Sequence, residues 1–226
     1  MFIGHYGVSF VAATQPKAPP LGTLFVAAQL IDFGFFGFLI AGIEKARLVP
    51  GMTAMNPMDL YWMPWTHSLV GAIAWSVGLA ILILMLTRST ATAAIGGIVV
   101  LSHWVIDLLV HTQDLTIIGT PPKFGFGLWN YPLIEMPLEL FFAYGGLAWY
   151  LSRTQATGAA GRFGPWLLAP VMAGLQAFNW FGPQPTTIID PPPVEMAPLG
   201  LFAYVLMAAI AWWMASGRDL RVQPGH

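Results

Sequence analysis

Six apolar stretches, each about as long as a bilayer-spanning helix, constrain this chain more than any other feature. They run over 22–43, 68–87, 91–111, 132–152, 164–182 and 197–215, and a spanning helix needs about 20 mostly apolar residues. Polar turns and proline clusters divide them: "QPKAPP" before the first, "RSTA" between the second and third, "TQATGAAGR" between the fourth and fifth, and "GPQPTTIIDPPP" between the fifth and sixth. Proline removes a backbone donor and resists helix, so these segments read as loops. Only 8% of the 226 residues are charged and the mean hydropathy is +0.68, whereas soluble domains carry about 25% charged residues. The pattern predicts an all-α fold: a polytopic transmembrane bundle of about six spanning helices. Residues 1–14 are too short to span. They are expected as a short helix, interfacial or half-inserted into the bundle.

A net charge of −1 and the lack of any basic tract argue against nucleic-acid binding. With no cysteine, disulfides and thiolate metal sites are excluded, so any metal must be held by nitrogen and oxygen. "MFIGHYGVSF" has no basic segment before its apolar part, so no cleavable signal peptide is expected. Lys17, Arg88, Arg153, Arg162, Arg218 and Arg221 fall on the N-terminal side of the six spans, against Lys45, Arg47 and Lys123 opposite. That bias predicts both termini in the cytoplasm. No internal repeat and no broken-helix pair is read from the sequence.

Ionisable residues inside apolar spans cost about 2.5–3.5 kcal/mol each on insertion scales and mark function by default. Asp32 lies midway along the first span and His67 at the mouth of the second. His103, Asp107 and His111 fill the end of the third, and Glu135 and Glu139 open the fourth. A step of four residues turns a helix by about 400°, so "SHWVIDLLVH" sets His103, Asp107 and His111 in one sector, about 6 Å apart along the axis. Up-and-down topology then brings His67, Asp107, His111, Glu135 and Glu139 to one level, with Asp32 and His103 deeper. Imidazoles with carboxylates make a site for a divalent transition metal: zinc first, manganese or iron as alternatives, with room for one or two ions. The bland readings stand beside this one. His103 and Asp107 can tie helices together by a hydrogen bond, His111 can be a solvated histidine at the water boundary, and the two glutamates can simply face a helix dipole. Asp59, Asp114 and Asp190 read as solvated loop residues. Trp62, Trp65, Trp149, Trp166, Trp212 and Trp213 read as interface anchors. "FGFGLWN" over 124–130 reads as an interfacial loop or a lid, and His226 carries no assignment.

Gly4-His5, Thr66-His67-Ser68 and the stretch from Ser102 to Asp107, "SHWVID", resemble the YdjM-like family of bacterial inner-membrane metal-dependent hydrolases. The resemblance covers roughly residues 1–150, with Asp32 in the place of the family's first aspartate. It implies a multi-pass protein of the bacterial inner membrane, and it adds His5 to the metal ligands. The chain departs from the family at "LIDFG", where a fuller Pro-Asp-x-Asp-His cluster is usual, and at "MPW", where His-Arg-Gly is usual. More loosely, the order His5, Asp32, His67, His103, Asp107 is similar to the ligand order of zinc-dependent phospholipase C enzymes.

The sequence therefore predicts a metal-site core over 1–152 and two further transmembrane helices of the same domain over 153–226. The leading function is metal-dependent hydrolysis of a lipid-derived or amphipathic (phospho)ester. His5, Asp32, His67, His103, Asp107 and His111 are the candidate ligands, and Glu135 or Glu139 the candidate general base. Membrane lipids and a lipid-like substrate are the expected partners. The alternatives are an accessory subunit packed against other membrane subunits, and an ion or proton transporter.

Overall fold

The computed structural model describes residues 1–221, so His226 lies outside the described residues. A 3-10 turn at Ile3–His5 leads into α1 (Tyr6–Ala12), followed by α2 (Leu21–Ala28), α3 (Leu30–Ile40), β1 (Lys45–Leu48), β2 (Met58–Trp62), α4 (Leu69–Thr87) and α5 (Thr90–Val110). Next come β3 (Leu115–Thr116), β4 (Lys123–Phe124), α6 (Pro132–Arg153), β5 (Thr154–Ala156), α7 (Ala159–Phe181), α8 (Met196–Ala215) and β6 (Arg218–Leu220). The fold is mostly helical. Its strands form three small antiparallel pairs, β1–β2, β3–β4 and β5–β6, at the ends of the helices.

All six apolar stretches are helical, but the expectation of six spans is corrected. Among the described residues, only α4, α5 and α8 are long and apolar enough to cross a membrane; α2 and α3 make a fourth if the bent pair is taken as one span. Glu135, Pro137, Glu139 and Arg153 dilute α6, and Arg162, Pro165, Pro170, Gln176 and Asn179 dilute α7. Leu133, Phe141, Trp166, Phe178 and Val194 stand exposed on or beside these helices. With the three apolar helices, this surface is consistent with a membrane protein.

Local chemistry explains the hairpin of α4 and α5. Ser68 Oγ accepts from Gly71 N at 2.9 Å and Ser89 Oγ accepts from Thr92 N at 3.2 Å, so both helices begin on a serine cap. Arg88 takes the left-handed conformation, φ 55°, that closes the turn between them. The absence of a broken helix expected from sequence is also corrected. The first span bends by 51° at Gln29, which ends the α2 hydrogen-bond ladder and frees its last carbonyls. The Gln29 side chain holds the break by donating to Phe2 O at 2.8 Å.

The N-terminal segment is driven into the bundle. Ile3, Tyr6 and Phe10 are fully buried, and α1 packs against α2, α5 and α6. It runs away from the site toward an end where residues 13–20 meet the α4–α5 turn and the β5–β6 pair. The approach of α1 to α6 is a backbone contact. A Cβ on Gly146 would lie 2.7 Å from Gly7 Cα, and one on Gly7 would collide with the Phe142 carbonyl. Gly146→Leu is therefore expected to cost about 1–3 kcal/mol by overpacking. It should read as a lower melting temperature of the detergent-solubilised protein, with α1 and His5 displaced.

Candidate metal centre

α5 supplies the middle of the site. Its helical period brings His103 and Asp107 onto one buried face, and His111 follows as its C-cap. α3 adds Asp32 one turn beyond the bend, the segment before α4 adds His67, and the turn before α1 adds His5. Asp32 is partly buried and the other five are at most 3% exposed, so the reading of His111 as a solvated residue is corrected.

The distances are those of groups around a shared centre. Asp107 Oδ2 lies 3.0 Å from His103 Nε2, 3.5 Å from His111 Nε2 and 3.8 Å from His67 Nε2. Asp32 Oδ1 lies 3.4 Å from His67 Nε2 and 3.6 Å from His103 Nε2. Asp107 Oδ1 lies 3.1 Å from His5 Nε2 and 2.8 Å from the Met1 nitrogen. Bond lengths of about 2.0–2.2 Å to a divalent ion put neighbouring ligand atoms about 2.8–3.6 Å apart in tetrahedral or octahedral geometry. The observed separations fall in or just above that range.

The tautomers point the same way. His103 Nδ1 lies 2.7 Å from the Ala28 carbonyl, one of those freed by the bend at Gln29. A carbonyl only accepts, so Nδ1 carries the hydrogen. His111 Nδ1 lies 2.9 Å from Asp114 Oδ1, again an acceptor. His67 Nδ1 lies 2.8 Å from Thr66 Oγ1, whose own hydrogen goes to Glu44 Oε2 at 2.6 Å. The hydroxyl must then accept from His67. With Nδ1 turned outward in each, the three Nε2 atoms converge on two carboxylates, and each would offer an ion its lone pair when deprotonated. Anchoring Nδ1 on an outer acceptor is how metal-ligating histidines are oriented. The residues fit a metal: buried His and Asp clusters here could hold one.

The glutamates divide. Glu139 Oε1 accepts from the backbone nitrogens of Phe2 at 2.6 Å and Gly4 at 2.9 Å, which pins the segment that carries His5. Both oxygens of Glu135 are buried with no hydrogen-bond partner. Glu135 and Glu139 line a cavity of about 80 Å³ together with Asp32, His67, Asp107 and His111. Such a space admits several waters. Phe35, Phe36, Met55, Trp129 and Trp180 form its apolar wall, and neither Lys nor Arg lines it.

Several supporting groups escaped the sequence reading. Glu44 is 1% exposed and accepts from Trp65 N, Thr66 N and Thr66 Oγ1. Tyr204 of α8 donates to Asp32 Oδ2 at 2.8 Å, so the last helix also serves the site. Asp114, expected to be solvated, is buried against His111, and Asp59 lies in β2 paired with Arg47 at 2.7 Å. "FGFGLWN" wraps the end of α5: Gly127 N donates to His111 O at 2.7 Å, and Trp129 packs on the His111 ring at 4.3 Å. Trp62, Trp65, Trp149, Trp166, Trp212 and Trp213 are exposed. Glu44→Ala removes the acceptor that orients Thr66 and hence His67. Its expected effect is a 10–100-fold loss of metal affinity, read by competition with a chelator. Unchanged affinity would leave Glu44 a purely structural role.

The chain matches no protein-family model, no curated protein and no solved structure.

Proposed function

We propose that this protein is a metal-dependent hydrolase of the bacterial inner membrane, acting on a lipid-derived or amphipathic ester, a phosphoester foremost. The observation that carries the reading is the convergence of three Nε2 atoms and two carboxylates beside one buried carboxyl that has no partner of its own. The resemblance of Gly4-His5, Thr66-His67-Ser68 and Ser102–Asp107 to the YdjM-like hydrolases supports it, as does the match of the donor set to zinc, with manganese or iron as alternatives. Both termini are placed in the cytoplasm by the Lys and Arg bias.

His5, Asp32, His67, His103, Asp107 and His111 would hold one or two ions, which would supply Lewis acidity to a water and to the ester oxygen. The chain's own residues do the rest. Burial and the neighbouring Glu139 push the Glu135 carboxyl up to about 9; with the charge of a bound ion beside it, Glu135 would ionise, take the proton of the attacking water and return it to the leaving group. Tyr204 fixes the Asp32 carboxylate through Oδ2 and leaves Oδ1 for the site. Phe35, Phe36, Met55 and Trp180 exclude bulk water and accept the apolar part of the substrate.

The test is hydrolysis of phospholipid and carboxylic-ester substrates in mixed micelles, before and after metal removal. Activity that disappears with chelation and returns with zinc or manganese is expected. Bound metal with no hydrolysis of either class would favour an accessory subunit. The broken span at the site favours the ion-transport alternative, although it has no inverted counterpart among the described residues. Metal flux in proteoliposomes separates that reading from hydrolysis.

A further inference from the structure

A neutral imidazole offers one lone pair and so can ligate one ion. Three sets of ligand atoms here lie within 4.8 Å of one another: His5 with His103 and Asp107, Asp32 with His67 and His103, and His67 with Asp107 and His111. The first and second share His103, and the second and third share His67. Those pairs cannot be filled at once. The first and third share only Asp107, and a carboxylate has two oxygens. Its Oδ1 faces His5 at 3.1 Å, and its Oδ2 faces His103 at 3.0 Å, His111 at 3.5 Å and His67 at 3.8 Å, so the carboxylate touches imidazoles of both sets. Asp32 Oδ1 sits between His67 at 3.4 Å and His103 at 3.6 Å, one imidazole from each compatible set.

Asp32, Asp107, Glu135 and Glu139 bring four carboxyls to a cavity that no Lys or Arg lines, and buried carboxylates are costly while uncompensated, so the cavity favours cations.

We propose that the cavity holds two divalent ions together, His5 and His103 on one, His67 and His111 on the other, with Asp107 and Asp32 as bridges. This rests on the metal-centre reading above but not on hydrolysis.

The experiment loads the full chain in nanodiscs with zinc, removes the excess, and counts metal per chain by mass spectrometry. Two zinc ions are expected in the unaltered protein, and one each in His5→Ala and His111→Ala. The unaltered protein loaded with manganese should give the electron paramagnetic resonance signal of a coupled pair. One ion per chain with an isolated-ion signal would overturn the second site and leave the metal centre standing, and no bound metal would overturn both. Two ions retained in His5→Ala would overturn the partition. Should the variants fail to fold, the count and the signal of the unaltered protein decide the matter alone.

Discussion

Asp107→Asn is expected to purify without stoichiometric metal and without metal-dependent activity. Asp107 is the residue toward which His5, His67, His103 and His111 all turn: His5 on Oδ1, and His67, His103 and His111 on Oδ2. The amide keeps the shape and loses the charge, and its nitrogen is a donor that no ion accepts. Removing one member of a buried charged set costs about 3–5 kcal/mol, which corresponds to roughly 10²–10⁴-fold in affinity. The side chain sits in the last turn of α5 on a buried face, between His103 and His111. Titration of the purified variant with zinc against a competing chelator measures the loss. Affinity within a few fold of the unaltered protein would show that Asp107 only ties helices together.

Glu135→Gln should separate binding from chemistry. Glu135 touches none of the imidazoles in a hydrogen bond, and its oxygens have no partner, so the substitution leaves the ligand set intact. It removes the cavity carboxyl assigned above as the base. Removing a positioned general base lowers rates by about 10²–10⁴-fold, and metal content should remain at the level of the unaltered protein. Glu139→Ala is the control. Glu139 is committed to the backbone nitrogens of Phe2 and Gly4, so its loss should loosen the N-terminal segment and lower thermal stability. A Glu135→Gln protein that hydrolyses ester at an unaltered rate would move the base elsewhere.

The helical period made His103, Asp107 and His111 legible on one face, and the cost of charge in apolar spans singled out Asp32 and His67. What stayed hidden depends on the chain meeting itself in space. Glu44 precedes Lys45 and Arg47 and reads as part of a polar loop, yet the turn at Trp65 and Thr66 folds over it and buries it. Asp114 lies only three residues from His111, but the sequence does not show that the chain turns back there and buries the pair. The break at Gln29 has neither glycine nor proline to announce it. The Phe2 carbonyl and His103 hold it from other parts of the chain. Hydropathy overcounted the spans for a related reason: α6 and α7 carry acids, prolines and amides that a window of apolar neighbours outweighs. Glu135 was legible as a polar intrusion, but only the packed structure distinguishes it from Glu139.

The most direct test of the shared metal centre is X-ray absorption at the metal edge on the purified, metal-loaded protein. The account predicts nitrogen and oxygen neighbours at about 2.0–2.2 Å, with the outer-shell scattering of several imidazole rings. Metal that washes away on purification, or a first shell without imidazole, would contradict it.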